Sequence, residues 1–206
     1  GDYKQSLNYY QKALSLSKII NVPKLQAQSL NNISIIHNLQ KQYQQAINTL
    51  NEALKLRLSL KDKAGEAQVK YQIAINQRKL KNLETALTNI NEAIKIVENI
   101  RTNVQNRDLR TSYFATVQNY YKFKINLLME LHKKDPSKGY NAQAIETSEA
   151  SRARGLVELL TEARSNIRKG ANPELLAEEK RLQDLINAKE KLRFEIISSE
   201  KIRNPV

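Results

Sequence analysis

Apolar residues recur along this chain in a pattern that repeats every 40 positions. Tyr3, Tyr43 and Leu83 are spaced by 40, and so are Leu7, Ile47 and Leu87, and the small residues Ala13, Ala53 and Ala93. Whole words recur: Tyr43-Gln44-Gln45-Ala46-Ile47 before Asn51-Glu52-Ala53-Leu54, then Leu83-Glu84-Thr85-Ala86-Leu87 before Asn91-Glu92-Ala93-Ile94. Each period holds two stripes at helical spacing, one through Leu30, Ile33 and Ile36 or His37, the other through Ala46, Ile47, Leu50, Ala53 and Leu54. Two amphipathic helices per period predict a helix pair. Alanines seven apart on the second helix let backbones approach closely, and pairs that each bury a face on the next build a solenoid. The expected fold class is all-α, a right-handed superhelical solenoid of stacked antiparallel helix pairs with longer C-terminal helices.

Helical repeats of this length include several kinds, and residue size at fixed positions separates them. In Ala27–Leu58, Leu30, Ile33, Ser34, Ala46, Leu50 and Ala53 give the large, large, small, small, large, small order of tetratricopeptide repeats, which the segment resembles. The next unit offers Ile73, Ala74, Ala86, Ile90 and Ala93, with Lys70 departing from the usual large residue. A 34-residue unit is usual for such repeats, and the six additional residues are expected in loops such as Ser17–Lys24 and Ser59–Gly65. Tyr3–Ile20 matches only a second helix, so a larger parent protein is expected. The expected organisation is repeats over 1–101, an irregular pair of long helices over 102–170, and a C-terminal helix over 171–206. Asp135-Pro136-Ser137-Lys138-Gly139 breaks the long helices, and Asn172 before Pro173 starts the last one, whose stripe runs through Leu175, Leu182, Leu185, Leu192 and Ile196.

The segment from Asn106 to Ile186 resembles the helical region that precedes the peptidase domain in bacterial proteins joining tetratricopeptide repeats to a caspase-like CHAT domain. The likeness rests on Asn106-Arg107-Asp108-Leu109-Arg110, on Leu127-Leu128-Met129-Glu130-Leu131-His132, on Tyr140 with Ala144 and Ile145, and on Glu149-Ala150-Ser151-Arg152-Ala153-Arg154-Gly155-Leu156-Val157-Glu158-Leu159-Leu160. That family's peptidase uses a His–Cys pair in a later domain, and this chain contains no cysteine. The resemblance therefore implies the non-catalytic half, a scaffold that recruits a partner and conveys its binding to a protease downstream.

Charge changes the picture of the partner. The chain carries 34 basic and 21 acidic side chains, a net of +13, with residues 1–100 holding 14 basic against 7 acidic and residues 171–206 holding 7 of each. Apolar residues at 40% exclude a disordered tail, and no apolar run approaches the roughly 20 residues needed to span a bilayer. A cytoplasmic location without membrane contact is the expectation. No glycine begins a phosphate loop, and His37 and His132 lack ligand-spaced neighbours, so neither enzyme activity, metal nor cofactor is expected. Glu146 and Glu149, one helical turn apart, suit pairing with Arg152 better than acid–base work.

In a solenoid of this kind the first helix of each pair lines the concave face. The register places Gln28, Asn31, Ile35 and Asn38 there, then Gln68, Tyr71, Ile75 and Arg78, then Thr111, Ala115 and Gln118. An amide-rich groove both donates and accepts, which suits the main chain of a peptide or protein ligand. A clamp for terminal carboxylates needs Lys and Asn four apart, but Lys24 precedes Gln28 and Lys70 precedes Ala74. Two alternatives stand beside the scaffold: a nucleic-acid-binding repeat, in which the cations meet phosphates and nine tyrosines offer stacking surfaces, and a sensor closing around a signalling peptide.

Overall fold

The 40-residue period is built from two strides of twenty. In the computed structural model the helices are α1 (Tyr3–Ile19), α2 (Pro23–Leu39), α3 (Tyr43–Ser59), α4 (Lys63–Lys79), α5 (Leu83–Asn103), α6 (Arg107–Lys134) and α7 (Tyr140–Lys169), with a 3₁₀ turn at Pro136–Lys138. The structure describes residues 2–103, 107–169, 172–178, 180–182, 184, 185, 188 and 189; it describes no side chain in 101–116, 154, 155, 157–159 or 161–171. Among the described residues all regular structure is helical. The molecule divides into two compact units, Gly1–Gly155 and Leu156–Val206.

Each of the first four helices has 17 residues, and each turn between them has three. All four turns close in one way. At 40–42, the Lys41 N–H donates to the Asn38 carbonyl and the Gln42 N–H to that of His37, and the same pattern recurs at 20–22, 60–62 and 80–82. This is a Schellman closure, whose second turn residue must be left-handed. Asn21, Lys41, Lys61 and Lys81 hold that place at φ of 51°, 60°, 54° and 67°. Glycine would adopt it without steric cost, whereas a lysine stays there against a penalty of about 1 kcal/mol. Helices begin with less uniformity: the Asp2 and Asp62 carboxylates accept from the N–H groups of Gln5 and Gly65, Pro23 opens α2, and α3 has no side-chain cap.

The six residues beyond the usual repeat are therefore not loop, as the sequence suggests, but helix. Ser17–Ile19 ends α1 and Lys63–Gly65 begins α4. Nothing within these stretches breaks a helix, and Pro23 stands at a first-turn position where its missing N–H costs nothing.

The repeat's signature residues make the core. Leu30, Ile33, Ser34, Ala46, Leu50 and Ala53 are buried, as are Ile73, Ala74, Ala86, Ile90 and Ala93. A small cluster joins α2, α3 and α4 through Leu30, Leu50, Ala53, Val69 and Ile73, and a larger one joins α4, α5 and α6. Lys70 takes the departing position by folding over the surface to Glu92, 2.6 Å away. Asp135, Pro136 and left-handed Gly139 at φ 65° break the chain between α6 and α7 as expected. Asn172 caps the last helix through a 2.8 Å bond from the Glu174 N–H, and every described residue from Pro173 to Lys189 is helical. Its stripe positions Leu192 and Ile196 lie outside the described residues.

Candidate partner-binding face

The candidate face is made by α2, α4 and α6, the first helices of successive pairs. α2 turns its buried side, including Leu30, Ile33 and Ile36, to its neighbours, which leaves Gln28, Asn32, Ile35 and Leu39 as its outward stripe. On α4 the stripe 40 residues on is Gln68, Gln72, Ile75 and Lys79. Each runs i, i+4, i+7, i+11, so each lies on one face of its helix. Side by side they give amide, amide and isoleucine twice in register. Gln28 is held in place, donating to Asn32 Oδ1 at 3.4 Å and accepting from Arg57 Nη2 at 3.3 Å.

Of the residues expected to line a groove, Gln28, Ile35 and Gln68 are exposed, and Asn38, Tyr71, Ile75, Arg78 and Gln118 are half-buried. Asn31 is a correction: it is only 3% exposed and faces helix packing, so it offers nothing to a partner. The side chains of Thr111 and Ala115 lie outside the described residues. Asn32, Leu39, Gln72 and Lys79 were not expected there. The signal for the first pair of positions was present, since Asn32 and Gln72 are amides 40 apart, whereas Asn31 becomes Tyr71.

Asn38, Tyr71 and Arg78 join the helices to one another. The Asn38 amide donates to Asn76 Oδ1 at 2.7 Å, linking α2 to α4 through the nearly inaccessible Asn76. From α4 to α6 the link is aromatic and ionic. Tyr71 stacks on Tyr120 with centroids 4.3 Å apart and meets Phe123 edge-on at 5.6 Å. Arg78 lies over Phe123 and donates to Glu130 Oε2 at 2.7 Å, with Lys81 on the other carboxylate oxygen. Burial pushes the Tyr71 phenol above its ordinary pKa, and the Arg78 hydrogen bond, with help from Lys81, holds the Glu130 carboxyl below its own.

The electrostatics of this face are one-sided. Its two carboxylates described on α4 and α6, Glu66 and Glu130, are both occupied by cations of the same chain, Lys63 and Arg78. Lys24, Lys79 and Lys122 stay exposed. Lys124, half-buried, is pushed down by burial, an effect that Glu146 on α7 opposes. Thus Glu146 has a cationic neighbour on α6. His37 Nδ1 lies 2.9 Å from Gln42 Oε1, and the described residues contain no group of three His, Cys, Asp or Glu that could hold a metal ion.

One buried charge supports the face from behind. Arg57 on α3, only 5% exposed, reaches Asp62 at 2.5 Å as well as Gln28. Burial alone would raise the Asp62 pKa, but the Gly65 N–H and the Arg57 guanidinium outweigh it and hold the carboxyl below its usual value. Gly65 makes the room: a Cβ there would stand 2.5 Å from Arg57 Cδ.

These features define a solenoid of consecutive antiparallel helix pairs. The tetratricopeptide repeat family matches residues 1–59 and 25–99, so the repeats of this region are tetratricopeptide repeats, which generally mediate protein–protein interaction. No curated protein matches the sequence. Among solved structures, the crystal structure of BtubC (BKLC) from P. vanneervenii is similar at a TM-score of 0.51 and 18% identity over 83% of this chain. This chain spans 59% of that protein's length. A putative kinesin light chain with nearly identical TPR-like repeats from Podosopora anserina matches at a TM-score of 0.45 and 10% identity, covering 84% of this chain and 90% of that one. No helix among the described residues is long and apolar enough to cross a membrane.

Proposed function

We propose that the chain is a non-catalytic interaction scaffold that binds a peptide or protein along the outward stripes of α2 and α4. The observation that carries this reading is their register: Gln28 with Gln68, Asn32 with Gln72, Ile35 with Ile75. Paired amides can satisfy a partner's main chain on both sides, and the two isoleucines add an apolar contact between them. The resemblance of Glu149–Leu160 to the region before a caspase-like domain supports a recruiting role beside a peptidase in a cytoplasmic bacterial protein. Nucleic acid fits less well, because Tyr71, Tyr120 and Tyr121 are engaged in helix packing and stacking rather than open to bases.

The test is capture from a nuclease-treated lysate with the chain as bait, followed by affinity measurement with the retained protein. Ile35→Ala combined with Gln68→Ala should weaken binding by about tenfold or more, with helicity and melting unchanged because both side chains are exposed. Unchanged affinity in that variant would overturn the stripe assignment, and retention that vanishes with nuclease would favour the nucleic-acid reading.

A further inference from the structure

The outward stripes of α2 and α4 continue onto α6. From Val117 on, the exposed residues of α6 are Asn119, Lys122, Asn126, Met129, Lys133 and the terminal Lys134. The first five run i, i+3, i+7, i+10, i+14, which is one side of a helix. The Tyr71–Tyr120 stack and the Arg78–Glu130 ion pair fix how α6 stands against α4, with Lys122 at the level of Gln72 and Met129 at that of Lys79. Amides thus recur on all three helices, at Gln28 and Asn32, at Gln68 and Gln72, and at Asn119 and Asn126.

Charge is segregated onto this side. By sequence α2, α4 and α6 carry 1, 4 and 6 basic against 0, 1 and 2 acidic side chains, a net of +8. α3 and α5, enclosed between them, carry 2 and 2 basic against 1 and 3 acidic, a net of 0. Of the three carboxyls on the first helices, Glu66 is engaged by Lys63 and Glu130 by Arg78 and Lys81; the Asp108 side chain lies outside the described residues. Among the described residues no ion pair involves Lys24, Lys79, Lys122 or Lys133, and all four are exposed. Lys24 does act on the Asp62 carboxylate, which already accepts from Arg57. The free cations are graded across the face. On α2 the stripe offers Ile35 and Leu39 beyond Lys24, on α4 Ile75 and Lys79, and on α6 Lys122 and Lys133 around Met129.

On the stripe reading of α2 and α4 given above, we infer that the partner is an acidic segment of another protein. It lies across α2, α4 and α6, its aliphatic side chains over Ile35, Leu39 and Ile75 and its carboxylates over Lys79, Lys122 and Lys133. Packed helices have axes about 8–10 Å apart, so three are crossed in roughly 20 Å, or about six extended residues. Cations exposed on one face repel one another and gain nothing from the rest of the chain, while an approaching carboxylate is attracted and oriented by them. The main chain of such a segment meets amides on every helix, each able to donate and accept.

Selection of the full chain against a displayed library of random peptides, each about twice that length, reads the partner's chemistry directly. The expected peptides are rich in aspartate and glutamate beside an aliphatic residue. Lys79→Gln, Lys122→Gln and Lys133→Gln combined should weaken a selected peptide by about tenfold or more at low salt, with helicity unchanged because all three side chains are exposed. Lys122→Gln with Lys133→Gln serves in its place should the triple variant lose helicity. Lys55→Gln with Lys95→Gln removes exposed cations from α3 and α5 and should leave the affinity within about twofold, which separates the face from net charge alone. An equal loss in both variants overturns the acidic partner, as do selected peptides with no acidic excess, or a selection that enriches none. The stripe reading then stands if Ile35→Ala with Gln68→Ala still releases the selected peptides, and falls with it if they are indifferent to that pair. A single-stranded oligonucleotide that binds more tightly than any selected peptide, and is lost in the triple variant, overturns the peptide in favour of nucleic acid.

Discussion

The first complete pair, α2–α3, and the second, α4–α5, share one repeat but are held together differently. Around α2–α3 the apolar cluster is small, and Ser29, Asn31, Ser34 and Arg57 are buried beside it. Around α5 twelve of the described residues form one buried cluster continuous with α6, and Val97 stands at 0% exposure where the first pair has Arg57. The links between first helices differ likewise, an amide bond from Asn38 to Asn76 against stacked rings and an ion pair at Tyr71, Arg78, Phe123 and Glu130. The difference teaches that the period fixes where helices lie, while residues outside the signature set how firmly each pair is held. In a repeat protein, where units interact mainly with neighbours, stability is then uneven along the chain.

The strongest way to break the comparison is Ala53→Arg. A long cation cannot enter a site with no accessible surface, and the substitution should cost more than about 4 kcal/mol. In hydrogen exchange the first pair should lose protection while α5 and the described part of α6 keep it; uniform loss would show the two pairs to be one cooperative unit. Gly65→Ala comes next. An alanine inside a helix usually gains about 1 kcal/mol over glycine, but here the new methyl meets the Arg57 side chain, and a net loss of about 1–3 kcal/mol is expected in denaturant melts. A gain would show that Arg57 moves aside freely.

Acid sharpens the contrast further. Asp62 has its pKa lowered in the folded chain, so its contribution is present above the unfolded value of about 4 and is lost as pH falls through the folded one. Asp62→Asn should therefore lower Tm at neutral pH and narrow the difference between neutral and about pH 3; an undiminished difference would place the acid sensitivity elsewhere, Glu130 being the next carboxyl held low. The smallest effect is at the turns. Lys41→Gly and Lys61→Gly relieve left-handed lysines and should each raise stability by up to about 1 kcal/mol. The extra freedom of glycine in the unfolded chain reduces that gain.

Much of this fold is legible in the sequence because the repeat writes each packing position two or three times. Ile33 with Ile73, Ala53 with Ala93, and Leu50 with Ile90 fall where the period puts them. The face is less legible. Residues 31 and 32 are both asparagine, and helical periodicity with a one-residue error in phase exchanges a buried amide for an exposed one. The joining roles of Tyr71 and Arg78 depend on α6, where the 40-residue spacing no longer holds. Arg57 was invisible for another reason: its burial depends on the missing side chain of Gly65, eight positions away on the next helix.

The uniform turns have a bearing on how such a chain can be lengthened. Every joint from 20–22 to 80–82 closes its helix with the same pair of hydrogen bonds and a left-handed middle residue. Residues 23–62 therefore form a cassette whose two ends match. Inserted again after Asp62, a copy would follow the same closing turn that it leaves, with Asp62 (φ −79°, ψ 84°) standing before Pro23 in place of Val22 (φ −113°, ψ 86°).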